Sequence, residues 1–244
     1  MLGSSPTEIT TNLTSIKMAE IFLIRHAESE TNAGNIVKSN AMCPLTVSGK
    51  KQSILLAKWL NIQPKPDLII KSPFVRTNQT AQPYIDLNPN IKRELWDNAK
   101  EFAYLSQIKY TSINDRAAAR DKYWNNCDIF YNDDETTESF TEFIYRIYNL
   151  RESLYQNKNN IIFVFTHGLV IKTFWWLIQH NQLTSYKINS AEMAKLNNFF
   201  NAIDIPNCGI LKIKDNWLKV INTLNCDISY EKVENKKIKL NTLK

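Results

Sequence analysis

The chain is poor in the residues from which the commoner catalytic and metal centres are built. Its 244 residues include four cysteines, five glycines and three histidines. The cysteines, Cys43, Cys127, Cys208 and Cys226, are scattered and form no Cys-x-x-Cys pair. That spacing argues against zinc and, without a secretion signal, against a disulfide framework. There is no glycine-rich phosphate loop and no metal-ligand spacing of His or Cys, so neither a cofactor nor a metal is expected. No apolar run approaches the ~18 residues of a membrane span. Residues 1–17 are rich in Ser and Thr and lack the apolar block of a signal peptide. They read as a disordered extension, with Met18 a candidate second start. A reducing, cytoplasmic setting is the expectation.

What is present fits one globular domain over residues 18–230. The 43% hydrophobic share and six tryptophans suffice for a sizeable core. The net charge is +6. Half of that excess lies in residues 231–244, where Lys232, Lys236, Lys237, Lys239 and Lys244 outnumber Glu231 and Glu234. This run lacks arginine and aromatics, so it reads as a solvated basic tail rather than a nucleic-acid or membrane patch. The mildly basic remainder is compatible with a small anionic substrate.

Strand and helix signals alternate. Strands are expected at 20–25, 67–71, 160–166, 207–213 and 217–222. The run Ile161-Ile162-Phe163-Val164-Phe165 is apolar on both faces, as in a sheet covered on both sides. Helices are expected at 48–60, from Ser139 to about residue 157, and from Gly168 onward. Ser139 and Glu142 have capping-box spacing. Such alternation predicts a three-layer α/β/α sandwich with a mostly parallel sheet. Only Lys214-Asp215-Asn216 separates the last two strands, so one strand there should be antiparallel. Residues 103–134, rich in Tyr, Trp, Arg and Asp, break the rhythm and read as a lid-like insertion over the strand ends.

The residues that end these strands carry the chemistry. Ile21-Phe22-Leu23-Ile24 stops at Arg25-His26-Ala27-Glu28-Ser29, and a second apolar strand stops at Thr166-His167-Gly168. Ligands in open α/β sheets sit beyond the C-terminal strand ends. One histidine at a strand end is more often structural. Two of three in that position, in one parallel sheet, put both imidazoles on one edge. His180 falls near a helix end and reads as solvated or C-capping. Arg76 follows a third strand in Ser72-Pro73-Phe74-Val75-Arg76-Thr77, and Pro73 marks a helix start. Arg76 then lies near the positive end of a helix dipole. Gly168 should open a helix whose free N–H groups face an anion. Two guanidiniums, two imidazoles and helix N-termini together fit a phosphoryl group, whose oxygens match arginine forks. A neutral imidazole nitrogen could attack phosphorus, splitting one displacement into two easier ones. The leaving alkoxide needs a proton. Glu28, Glu94, Glu101 and the run Asp133-Asp134-Glu135 are candidates, the run reading as a solvated loop; composition does not choose among them.

These motifs resemble the histidine phosphatase superfamily, the phosphoglycerate-mutase-like group, in its branch 1. Arg25-His26-Ala27-Glu28-Ser29 with Asn32 resembles its first signature, with Ala where Gly is commoner. Ser72-Pro73 through Arg76-Thr77 to Thr80-Ala81 resembles the second and Thr166-His167-Gly168 the third. The resemblance spans residues 20–222. It implies a three-layer fold and a phosphoryl-accepting His26. It also implies a phosphate pocket of Arg25, Arg76 and His167 assisted by Asn32, and a proton-donating Glu101, with Glu94 as fallback. The Glu-Arg-His-Tyr-Gly stretch of true mutases is absent at Glu101-Phe102-Ala103, which favours phosphatase over mutase. The late His-Asp pair of the exported branch is absent too. The expectation is a metal-independent phosphomonoesterase acting on a small phosphorylated metabolite or a phosphoprotein. An isomerase that moves phosphate within a sugar acid and a non-catalytic phosphate-binding module are its rivals. Tyr104, Tyr110, Arg116, Arg120, Lys122, Tyr123 and Trp124 meet the rest of the substrate or hold the lid on the core.

Overall fold

Two apolar strands at the centre of the sheet, β1 (Glu20–Arg25) and β4 (Ile161–Thr166), pair in parallel from Glu20 opposite Ile161 to Arg25 opposite Thr166. The computed structural model describes residues 19–224 apart from residues 36, 38, 108, 111, 158–160, 181–187 and 215–216. The N-terminal extension, Met18, Cys226 and the basic tail lie outside the described residues, as does most of the turn at 214–216. β2 (Leu68–Lys71) lies parallel to β4 on the other side, and β3 (Lys92–Leu95) parallel to β2. β5 (Ile210–Lys214) runs antiparallel to β1 and to β6 (Trp217–Ile221). The six-stranded order is β3-β2-β4-β1-β5-β6. Both expectations, a mostly parallel sheet and one reversed strand near its end, are met.

Strand periodicity sorts the core into two layers. Ile21, Leu23, Ile70, Ile162 and Val164 face one side; Phe22, Ile24, Ile69, Phe163 and Phe165 face the other. The second face is covered by α1 (Val47–Asn61) through Leu56 and Leu60, and by α2 (Val75–Leu87) through Ala81 and Tyr84. The first face receives α4 (Phe140–Tyr155), α5 (Gly168–His180) and α6 (Ser190–Ala202). Ser139 and Glu142 form the expected capping box on α4. No helix among the described residues is long and apolar enough to cross a membrane.

Three elements depart from the sequence expectations. β3 reads Lys-Arg-Glu-Leu and is an exposed edge strand, so apolar alternation could not announce it. α6 buries Met193, Leu196 and Phe200 behind an Asn189 cap. The insertion contains α3 (Ile113–Asn126), capped by Ser112, of which only Tyr123 and Trp124 are buried. One apolar contact point is too little for a periodic stripe. Tyr123 and Trp124 pack on Phe102, with ring centroids at 6.2 and 6.3 Å, so they anchor the insertion to the core.

The loop after β1 is held against α1. Glu28 N–H donates to Gln52 Oε1 at 2.8 Å, and Thr46, the α1 N-cap, donates its hydroxyl to Glu28 Oε1 at 2.6 Å. Gly49 allows this approach: an added Cβ would stand 1.9 Å from the Glu28 carbonyl oxygen. Alanine at a helical glycine normally gains up to about 1 kcal/mol. Here the backbone clash dominates, and Gly49→Ala should lower stability by about 1–2 kcal/mol in urea unfolding. A stabilised variant would mean that the loop yields freely.

Candidate active site

The zero-offset pairing of β1 and β4 decides where the site lies. His26 N–H bonds to Thr166 O at 3.0 Å, extending the ladder by one residue, and His167 follows directly on the neighbouring strand. The two imidazoles meet edge to face, with centroids 5.2 Å apart. Both are buried.

His26 Nδ1 lies 2.7 Å from Ala27 O. A carbonyl only accepts, so Nδ1 carries the proton and Nε2 keeps its lone pair. Arg76 Nε–H donates to that Nε2 at 3.1 Å, and its Nη1 donates to Asn40 O at 2.6 Å. Arg76 is the second residue of α2 and is buried, in the first turn as expected. Arg25 donates through Nη1 to Ile205 O at 2.5 Å. Its Nε is buried without a partner. The position of a Cβ on Gly168, the first residue of α5, is 3.5 Å from that Nε. A methyl group there would make ordinary van der Waals contact with the guanidinium, which lies against the first turn of α5.

His167 Nε2 lies 2.8 Å from Ser72 Oγ, and Ser72 Oγ also accepts from Phe74 N–H at 3.3 Å. With the Ser72 hydroxyl donating to Nε2, His167 carries its own proton on Nδ1; with Nε2–H donating to Ser72, Nδ1 is an acceptor. That Nδ1 is buried and, like Arg25 Nε, has no partner. Arg25 Nε and, in the Nδ1–H tautomer, His167 Nδ1 are buried donors without acceptors, beside the unprotonated His26 Nε2 that Arg76 engages. Asn32 sits at the exposed rim; its Oδ1 accepts from Ser29 N–H at 3.2 Å and from Asn207 Nδ2 at 3.1 Å.

Glu101 completes the constellation. Its Oε1 accepts from Phe102 N–H at 3.0 Å, and the Leu169 amide of α5 also reaches its carboxylate. Burial raises its pKa, opposed by Arg76 and Arg25. The other acid candidates lie elsewhere. Glu94 accepts from Trp96 Nε1 at 2.8 Å and pairs with Lys92 on the edge strand. Glu28 is engaged by the α1 cap. Asp133 corrects the reading of a solvated run. It is buried and accepts from Ser106 N–H, Lys109 Nζ, and the hydroxyls of Tyr110 and Tyr131. Burial works against its charge, but these donors hold its pKa down to about 2. It is the hub of the insertion. His180, exposed at the end of α5, stacks on Trp176 and bonds its carbonyl at 2.9 Å.

Sequence reasoning missed the supports. Asn207 Nδ2 bridges His26 O and Asn32 Oδ1, each at 3.1 Å. Thr80 Oγ1 takes Ala27 N–H at 3.0 Å. Thr80 stood within the second motif and carried a signal. Asn207 and Arg146 did not, because their partners are distant in the chain.

The histidine phosphatase superfamily (branch 1) model matches residues 21–200, and the chain belongs to that superfamily. Solved structures share the fold. The α-ribazole phosphatase of Shigella flexneri is 20% identical with a TM-score of 0.62, covering 83% of this chain and 96% of its own. The phosphoserine phosphatase of Entamoeba histolytica bound to 3-phosphoglyceric acid is 21% identical with a TM-score of 0.58, covering 80% and 90%. A curated relative named "Probable phosphoglycerate mutase GpmB", from Serratia proteamaculans, is 35% identical over 65 residues, which is 27% of this chain and 30% of that protein. The chain thus aligns with under a third of that relative's length.

Burial, then the positive charge of Arg76, drives the pKa of both histidines well below the ordinary 6.5. The unfolded chain therefore takes up more protons as pH falls below about 6.5, and stability should fall over that interval. Each histidine contributes up to about 1.4 kcal/mol per pH unit. Urea midpoints between pH 7.5 and 5.5 should drop, and His26→Asn should flatten the drop. An unchanged slope in that variant would mean that His26 is protonated in the fold.

Proposed function

We propose that the protein hydrolyses phosphomonoesters through a phosphohistidine at His26, without a metal. The observation that supports this reading is the unprotonated Nε2 of His26, fixed by the Nδ1 bond to Ala27 and engaged by Arg76. Low protonation keeps that lone pair available at neutral pH. When a phosphate enters, Arg76 exchanges its bond with Nε2 for a phosphate oxygen. Arg25 Nε and His167 Nδ1–H take others, and the α5 N-terminus at Gly168 adds its positive end. Nε2 then forms a bond to phosphorus as the ester P–O bond breaks. Glu101, whose raised pKa favours the protonated form, gives its proton to the leaving oxygen. Water next attacks phosphorus, the Glu101 carboxylate takes its proton, the P–N bond breaks and orthophosphate leaves. Two guanidiniums supply the charge that a metal ion supplies in other phosphoryl-transfer sites.

A cavity of about 310 Å³ supports a substrate class. It opens between the loop after β1, at Thr31 and Asn35, and the insertion, at Tyr104, Tyr110, Arg116 and Arg120. Two arginines and no acidic residue line it. The Tyr104 phenol, which lines the cavity, feels the charges of Arg120, Arg116 and Glu101. The substrate class is a small phosphorylated metabolite with a second anionic group. The solved relatives named for phosphoserine and glucosyl-3-phosphoglycerate act on such compounds. The free thiols Cys43, Cys127 and Cys208 fit a reducing, cytoplasmic setting.

His26→Ala should abolish phosphate release and acid-labile phosphoenzyme across a metabolite panel, while EDTA leaves the wild-type rate unchanged. Substantial turnover by the variant would remove His26 as nucleophile. Arg120→Ala should raise KM for O-phosphoserine about tenfold and leave p-nitrophenyl phosphate nearly unaffected, a charge-assisted contact being worth ~1.5–3 kcal/mol. Equal effects would place recognition outside the cavity.

A further inference from the structure

Glu101 sits on an irregular segment, yet an acid must be held to within a fraction of an ångström. A 3-10 turn at Asp97–Ala99 leads into this segment. The carbonyls of residues 98 to 101 point away from the turn and need donors. Arg146 on α4 supplies most of them. Its Nη1 donates to Asn98 O at 2.9 Å and Lys100 O at 2.8 Å, and its Nη2 reaches Glu101 O at 3.4 Å. The remaining carbonyl, Ala99 O, accepts from Thr166 Oγ1 at 2.7 Å. Four successive carbonyls are thus held by two side chains, and Thr166 is the residue before His167.

The guanidinium is itself fixed. Glu138 accepts from Arg146 Nε at 2.9 Å and pairs with Nη2 through its other oxygen. Both side chains are mostly buried, at 12% and 16% exposure. Glu138 N–H donates to Ala103 O at 3.0 Å, closing the far side of the segment. Phe143 lies under the guanidinium at 5.2 Å. A lysine has a single point charge and cannot fork across these carbonyls.

We propose that Arg146, held by Glu138, is the positioning residue of the general acid: it locks the 98–101 segment so that the Glu101 carboxyl faces the leaving oxygen. This rests on the reading of Glu101 as proton donor. Loss of the clamp lets the segment drift, and proton delivery suffers while the phosphate pocket, built on β1, α2 and β4, keeps its form. The signature is a kcat effect that depends on the leaving group, which a merely structural arginine would not produce.

The test measures kcat and KM for β-glycerol phosphate, whose alkoxide needs a proton, and for p-nitrophenyl phosphate, whose phenolate leaves without one. Wild type, Glu101→Gln, Arg146→Met, Arg146→Lys and the Glu101→Gln/Arg146→Met double variant are compared. Arg146→Met should lower kcat for the alkyl ester about 10²-fold and for the aryl ester less than about threefold, with KM little changed. Arg146→Lys should recover part of the loss. The double variant should be no slower on the alkyl ester than Glu101→Gln, because both changes remove one function. Equal losses on both esters, or additive losses in the double variant, would overturn the role of Arg146. If Glu101→Gln itself is not selective for the alkyl ester, the acid assignment falls and this proposal with it. Should Arg146→Met lose its native circular dichroism, Glu138→Gln gives the same readout: a selective loss supports the clamp and a uniform one overturns it.

Discussion

The placement of the two histidines follows from one pairing. β1 and β4 lie side by side, in parallel, with Arg25 opposite Thr166. Their next residues are both histidines, so the two imidazoles emerge at one sheet edge. An offset of one residue would turn one imidazole to the opposite face of the sheet. The apolar runs on both strands, buried on both faces, make such a slip costly, because it would carry Phe22, Leu23, Phe163 and Val164 into the wrong layers. Core packing therefore sets the register, and the register sets the site.

The electrostatics of the pocket are those of a receptor prepared for a dianion. Burial disfavours charge on Arg25, Arg76, His26 and His167, and the two guanidiniums add to this on both histidines. The histidines yield by staying neutral, and the arginines keep their charge with backbone carbonyls as partners. Glu101 is the compensating acid, drawn between burial, which keeps its proton on, and the two guanidiniums, which pull it off. In the proposed reaction a phosphate resolves this tension by neutralising the arginines, while the raised carboxyl pKa favours a proton on the acid. Groups with opposed environments a few ångströms apart are the usual basis of acid–base division of labour.

The insertion is more ordered around a buried charge than its composition suggested. Asp133 accepts from four partners and ties together Ser106, Lys109, Tyr110 and Tyr131. Tyr123 and Trp124 then fasten α3 to Phe102. One and two turns earlier on the same face of α3, Arg120 and Arg116 line the cavity between the insertion and the loop after β1.

The histidine and arginine positions were legible because each ends or follows a continuous apolar strand, and such strands announce themselves by composition alone. The motif Ser72 to Ala81 was legible for the same reason, together with Pro73 at the helix start. β3 and α3 were not read, since an exposed Lys-Arg-Glu-Leu edge and a helix with two buried residues leave no periodic trace; α6 carried one, Met193, Leu196 and Phe200 at three and four, and was missed. The choice of Glu101 over Glu94 and Glu28 came from resemblance, and its place beside Arg25 and Arg76 needed the fold. Asp133 looked solvated because nothing in Asp133-Asp134-Glu135 tells which carboxylate turns inward. By itself the sequence determined the layers, the parallel sheet and which residues stand at its edge, since burial and strand period are local signals. Only the tertiary structure decided what engages the unprotonated nitrogen of His26, how the 98–101 segment is clamped by Arg146 and which carboxylate is buried, because those depend on partners tens of residues away along the chain.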